Sequence, residues 1–132
     1  MEYERDACPH SVLIVEDDSS IRDLLNQALM IEGYEVNPVK HGKEALDFLA
    51  NNKQPCVILL DLMMPVMDGF EFLRRIKSDL SKQTAHIPIV IASASGSAGE
   101  EAHRYNLPII RKPLDLSRVL EIVEKYCTPR AS

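Results

Sequence analysis

Five short apolar runs, each handing over to an amphipathic helical pattern, set the strongest limit on what this chain can fold into. The runs cover residues 11–15, 34–39, 56–60, 87–92 and 108–111. After the first, Ile21, Leu24, Leu25, Ala28 and Leu29 recur at helical spacing, with Ser19 placed to cap that helix and Gly33 to end it. Ala45, Leu46 and Leu49 mark a helix over 43–51. Phe70, Leu73 and Ile76 mark one over 69–80, with Asp68 and Gly69 opening it. A short helix follows near 100–105, and Leu116, Val119, Leu120 and Val123 stripe the last one. Run 56–60 is unbroken and apolar, as a strand covered on both faces must be. Run 34–39 is partly polar and suits a sheet edge. Strands alternating with helices predict an α/β fold with a parallel sheet, and right-handed crossovers place helices on both faces.

The 132 residues fit one domain, expected over 11–127, with tails at 1–10 and 128–132. The composition, 45% hydrophobic and 27% charged, supplies a core without staples. A net charge of -5 with scattered basic residues argues against direct nucleic-acid binding, which needs clustered Lys and Arg. Cys8, Cys56 and Cys127 are odd in number and lack CxxC spacing. They predict neither a disulfide framework nor a zinc site, and Cys56 is expected as a buried structural thiol. The polar N-terminus does not resemble a signal peptide, and no run reaches the ~18 apolar residues of a membrane span. A cytoplasmic protein without membrane contact is expected.

The polar residues carry the functional signal through their positions. Glu16 and Asp17 follow the first strand, Asp61 the third, Ser93 the fourth and Lys112 the fifth. Ligands of open α/β sheets bind outside the carboxyl ends of the strands, where strand order reverses. A flavodoxin-like (βα)5 arrangement, strand order 2-1-3-4-5, would bring all five residues to one cleft. Three crowded carboxylates repel unless a cation joins them. Carboxylates, a carbonyl and waters suit Mg²⁺. With a lysine ammonium and a hydroxyl, such a set can stabilise a phosphoryl group in flight.

The stretches LIVEDD (13–18), LLDLMMPVMDG (59–69), IVIASAS (89–95) and RKPLD (111–115) resemble the four signature segments of response-regulator receivers. Four segments in order, each ending an expected strand, make the resemblance specific, and it covers nearly the whole chain. It implies Asp61 as phosphoacceptor, with Glu16, Asp17, Asp61 and the backbone carbonyl of Met63 holding Mg²⁺. Asp17 would do so directly and Glu16 through water. It implies Ser93 and Lys112 as partners of the phosphoryl group, and a cis Lys112–Pro113 bond that aims the lysine inward. The implied partners are a histidine kinase or histidine phosphotransfer protein and a downstream effector. The implied activity is self-catalysed phosphotransfer with slow autodephosphorylation rather than enzymatic turnover.

Three features depart from the family pattern. Ile109 stands where the family usually has Tyr or Phe, three residues before the lysine. The interval from Ser93 to Lys112 is short, which predicts a reduced fourth helix. That from Asp61 to Ser93 is slightly long, which places extra residues in 78–86. Met63 and Ser95, flanking the phosphate position, are neither acidic nor amide-bearing, so neither orients a hydrolytic water well. The competing readings are a phosphohydrolase, a flavodoxin and a pseudo-receiver that only binds partners. The first needs a DxD after the first strand and a cap. The second needs a hydroxyl- and Gly-rich phosphate loop where this chain has EDDSS.

Overall fold

The computed structural model describes residues 7–62, 68–93 and 98–129. The apolar runs form strands β1 (Ala7–Val15), β2 (Glu35–Val39), β3 (Gln54–Leu60), β4 (Ile89–Ser93) and β5 (Ile109–Arg111). Between and after them lie helices α1 (Ser19–Ile31), α2 (Gly42–Asn51), α3 (Gly69–Lys77), α4 (Ala98–Arg104) and α5 (Leu116–Tyr126). All strand pairs are parallel, in the order β2-β1-β3-β4-β5. This is the expected five-stranded flavodoxin-like arrangement. The partly polar β2 lies at an edge, with Pro38 tolerated there.

The alternation of side chains along the strands divides the core in two. Leu13, Val15, Ile58 and Leu60 point to one face and pack with Ala45, Leu49, Phe72, Leu73 and Ile76 of α2 and α3. Val12, Ile14, Val57 and Leu59 point to the other and pack with Leu25, Leu29, Val119, Ile122 and Val123 of α1 and α5. A central strand must therefore be apolar at every position, which explains the unbroken run in β3.

Several elements differ in detail from the sequence expectation. β1 reaches back to Ala7 because Ala7 and Cys8 pair with Gln54 and Pro55 across an irregular register. Residues 7–10, expected in a tail, thus belong to the sheet. Asp18, expected in the loop or cap rather than at the metal, caps α1 in place of Ser19, its Oδ1 accepting from the Ile21 amide at 3.1 Å. Gly33, at φ 96°, turns the chain out of α1. Leu24 is 51% exposed because the inward line of α1 runs through Leu25 and Leu29. Phe72 takes the core position on α3, and Phe70 is only half-buried at its margin. The fourth helix is short, at 7 residues, as expected. The long link before β4 contains a 3-10 turn at Gln83–His86. Among the described residues no helix is long and apolar enough to cross a membrane.

The cysteine expectation is corrected. Cys56 and Cys127 are joined by a disulfide with Cα atoms 5.5 Å apart, inside the range a bridge requires. Cysteine parity and local spacing report on compact motifs. This pair meets only because the start of β3 and the end of α5 pack on one face of the sheet. In the chain-entropy account, closing a loop across a separation of 71 residues constrains the unfolded chain by about 4 kcal/mol.

Phe72, fully buried between α3 and the sheet, should dominate local stability. Phe72→Ala is expected to cost about 3–5 kcal/mol in urea denaturation, and Leu24→Ala less than about 0.5 kcal/mol.

Candidate functional site

The carboxyl ends of the strands are held in place by ladder bonds that run one residue past each strand. The Glu16 amide donates to the Val39 carbonyl at 3.1 Å and the Asp61 amide to the Val15 carbonyl at 3.0 Å. The Lys112 amide donates to the Ser93 carbonyl at 3.3 Å. Backbone pairing thereby fixes where each polar side chain starts.

Glu16 and Asp61 are buried, and Asp17 is exposed. One carboxylate oxygen from each of Glu16, Asp17 and Asp61 lies within 4.8 Å of the others. The Lys112 Nζ stands 2.9 Å from Glu16 Oε1 and 3.6 Å from Asp61 Oδ2. Burial, the largest single influence on this ammonium, pulls its pKa down. Hydrogen bonding to Glu16 and the charges of Asp61 and Glu16 together outweigh it, so Lys112 titrates above the usual lysine range. The Lys112–Pro113 bond is cis. The second Glu16 oxygen, Oε2, accepts from the Asp18 amide at 3.2 Å, so both oxygens of this buried carboxylate are engaged by the protein.

Of the residues expected at the site, Glu16, Asp17, Asp61 and Lys112 converge. Ser93 is fully buried at the end of β4, beside Arg111 in register. Met63 lies outside the described residues. Ile109 is half-buried in β5, paired with Ile91 and packed against the α2–α3 core.

One contributor, Arg22, escapes a motif-based reading, and a second, Gly69, is expected from the sequence only to open its helix. Arg22 folds back from the first turn of α1, and its Nη1 donates to the carbonyls of Glu16 at 2.9 Å and Asp17 at 3.2 Å. It braces the backbone that carries both acids. Its one sequence signal is a cation where the positive end of a helix disfavours one. Gly69 opens α3 directly against the backbone at the end of β3. Its amide donates to the Leu62 carbonyl at 2.9 Å, and a Cβ there would collide with the Asp61 carbonyl and the Leu62 Cα. Asp68 caps the same helix, accepting from the Glu71 amide at 2.9 Å.

Three carboxylates facing one ammonium leave an excess of negative charge on hard oxygen donors. Such a set can take a divalent cation, with a buried aspartate at its centre.

The sequence model described as Response regulator receiver domain matches residues 12–124. The chain is 34% identical over 118 residues to Sporulation initiation phosphotransferase F of Bacillus subtilis (strain 168), covering 87% of this chain and 91% of that protein. It is 38% identical over 92 residues to Response regulator MprA of Mycobacterium sp. (strain KMS), covering 70% of this chain but spanning 38% of that protein's length. Among solved structures, Vibrio cholerae chemotaxis protein CheY4 superposes with a TM-score of 0.78 at 29% identity, covering 90% of this chain and 99% of that one.

Two substitutions probe the site without any ligand. Asp17→Asn removes one of the three crowded charges while leaving both partners of Lys112. It is expected to stabilise the protein in metal-free, low-salt buffer by about 1 kcal/mol, the scale of one charge interaction at this separation in water. An unchanged or lower denaturation midpoint would mean that the acids do not strain one another. Gly69→Ala should cost about 2 kcal/mol by overpacking. Gly99→Ala, whose new methyl meets only the end of the Arg111 side chain at 3.3 Å, should be neutral or mildly stabilising in the same assay.

Proposed function

The chain belongs to the response regulator receiver domain family, and from that premise we propose that it is a cytoplasmic signalling module that accepts a phosphoryl group from a phosphohistidine onto Asp61. The observation that carries this reading is the meeting of Asp61 with Glu16, Asp17 and Lys112, residues drawn from three separate strand ends. The receiver unit is residues 11–127, with β1 extended to Ala7.

The donor set fits Mg²⁺. Its oxygens are hard ligands, and their negative charge exceeds what Lys112 neutralises. Asp17, Asp61 and the Met63 carbonyl would hold the ion directly. Glu16, whose two oxygens already serve Lys112 and the Asp18 amide, would act through water. When bound, the ion supplies positive charge that offsets acceptor and phosphoryl charge.

The chain's own groups then have defined tasks. An Asp61 carboxylate oxygen attacks phosphorus in line, an O–P bond forms, and the N–P bond to the donor imidazole breaks. The freed imidazole nitrogen takes up a proton. Lys112 exchanges part of its contact with Asp61 and Glu16 for the transferred oxygens. The Ser93 hydroxyl donates to one of those oxygens, which couples β4 to the phosphorylated state. Ile109 lacks the ring of the usual aromatic, so this coupling runs through aliphatic packing. The donor is a histidine kinase or histidine phosphotransfer protein, and a downstream effector reads the product. The protein is a regulatory acceptor rather than an enzyme.

Acetyl phosphate with Mg²⁺ tests the reading. The intact protein should gain the mass of one phosphoryl group, while Asp61→Asn or a chelator prevents it. No gain would favour a pseudo-receiver that only binds partners, the rival to which Ile109 lends support. The phosphoryl-aspartate should also be long-lived, because Met63 and Ser95, both outside the described residues, are neither acidic nor amide-bearing and would orient a hydrolytic water poorly. A half-life of seconds in the purified protein would contradict that.

A further inference from the structure

We propose that Cys56 and Cys127 form a reversible thiol–disulfide site that answers to oxidants of the peroxide class and clamps the C-terminal end of α5 to the start of β3. Cys56 is the third residue of β3 and Cys127 closes α5, with Cα atoms 5.5 Å apart. Bridge formation therefore needs no backbone rearrangement.

Access makes the bridge exchangeable. A groove of about 370 Å³ runs along the amino end of the sheet, lined by Pro55, Cys56, His86, Ile87, Pro88 and Tyr126. Cys56 is partly exposed, whereas Cys127 is 6% exposed. Cys56 thus borders solvent through the groove, the side from which an exchanging thiol or an oxidant approaches the bridge, and partial exposure is the condition that separates labile bridges from inert ones.

The dithiol state is also provided for. Cys56 Sγ lies 3.0 Å from the Ser11 carbonyl oxygen. A thiol can donate to that oxygen, and a disulfide sulfur cannot. Reduction thus gives the Cys56 S–H an acceptor already in position. Cys127 stays in the core cluster with Val12, Val57 and Val123 as a small apolar group. The fold does not need the bridge, because Val119, Ile122 and Val123 bury the rest of α5. What the bridge adds is a fixed last turn, closed by the Cys127 amide on the Val123 carbonyl at 2.9 Å. The other end of that helix follows Lys112 through residues 113–115. For a cytoplasmic protein, a reversible bridge is the expected kind, since reducing thiols keep such bridges transient.

The chemistry balances with hydrogen peroxide. The Cys56 sulfur attacks one peroxide oxygen, the O–O bond breaks, and one water leaves as Cys56 becomes a sulfenic acid. The Cys127 sulfur then attacks Cys56 sulfur, the S–O bond breaks, and a second water leaves. Two thiols and one peroxide give one disulfide and two waters. A dithiol reductant reverses the bridge by exchange, restoring both thiols as it becomes a cyclic disulfide.

The test uses the full chain, reduced with dithiothreitol, desalted, and titrated with hydrogen peroxide. Alkylation in denaturant followed by mass spectrometry counts free thiols, and a non-reducing peptide map locates the link. One equivalent of peroxide should yield a monomer joined through Cys56 and Cys127, and dithiothreitol without denaturant should reopen it. Amides of residues 124–127 should exchange with deuterium about tenfold faster in the reduced form, with the strands unchanged. Cys8→Ser should behave as the parent chain, and Cys127→Ser should form no link. The proposal is overturned if peroxide leaves both thiols free or links Cys8. It also falls if the bridge reopens only in denaturant, or if the final turn exchanges equally in both states.

Discussion

The ion pair between Lys112 Nζ and Glu16 Oε1 makes the acidic cleft tolerable inside a folded protein. Two buried carboxylates and an exposed third stand close enough to share one cation. Their mutual repulsion would raise the cost of folding if no positive charge faced them. Lys112 supplies that charge from β5, and Arg22 holds the backbone beneath the acids from α1. Neutralisation is only partial, so the hard oxygens of the cleft keep an excess of negative charge, a donor set that suits a divalent ion.

That cleft can exist because the sheet behind it is rigid. Alternate residues of β1 and β3 fill two separate cores, so neither strand can slip by one residue without exposing an entire apolar face. The Asp61 and Glu16 amides extend the same ladder, which transfers the rigidity of the sheet to the acidic side chains. Gly69 completes the mounting by letting α3 start against the Asp61 and Leu62 backbone, where any side chain would push the strand end away.

Helix α5 joins the two ends of the molecule. Its first turn follows the cis Lys112–Pro113 segment at the acidic cleft. Its last residue leads into Cys127, bonded to β3 beside a groove at the opposite end of the sheet. Packing of Val119, Ile122 and Val123 against β1 and β3 holds the middle of the helix in both cysteine states.

The sequence by itself determined the order of strands and helices, the two-sided burial of β3, the edge placement of β2, and the meeting of Glu16, Asp17, Asp61 and Lys112. Those features follow from local periodicity and from the rule that parallel α/β sheets gather polar residues at strand ends. Only the tertiary structure decided that Cys56 bonds Cys127, that Arg22 reaches back to two carbonyls, and that Gly69 rests on Asp61. It also decided that Phe72 rather than Phe70 fills the core and that β1 reaches back to Ala7. Each depends on the distance between residues remote in sequence, or on the rotation of a helix about its own axis. Composition and spacing fix neither, because packing of the completed sheet against its helices sets both.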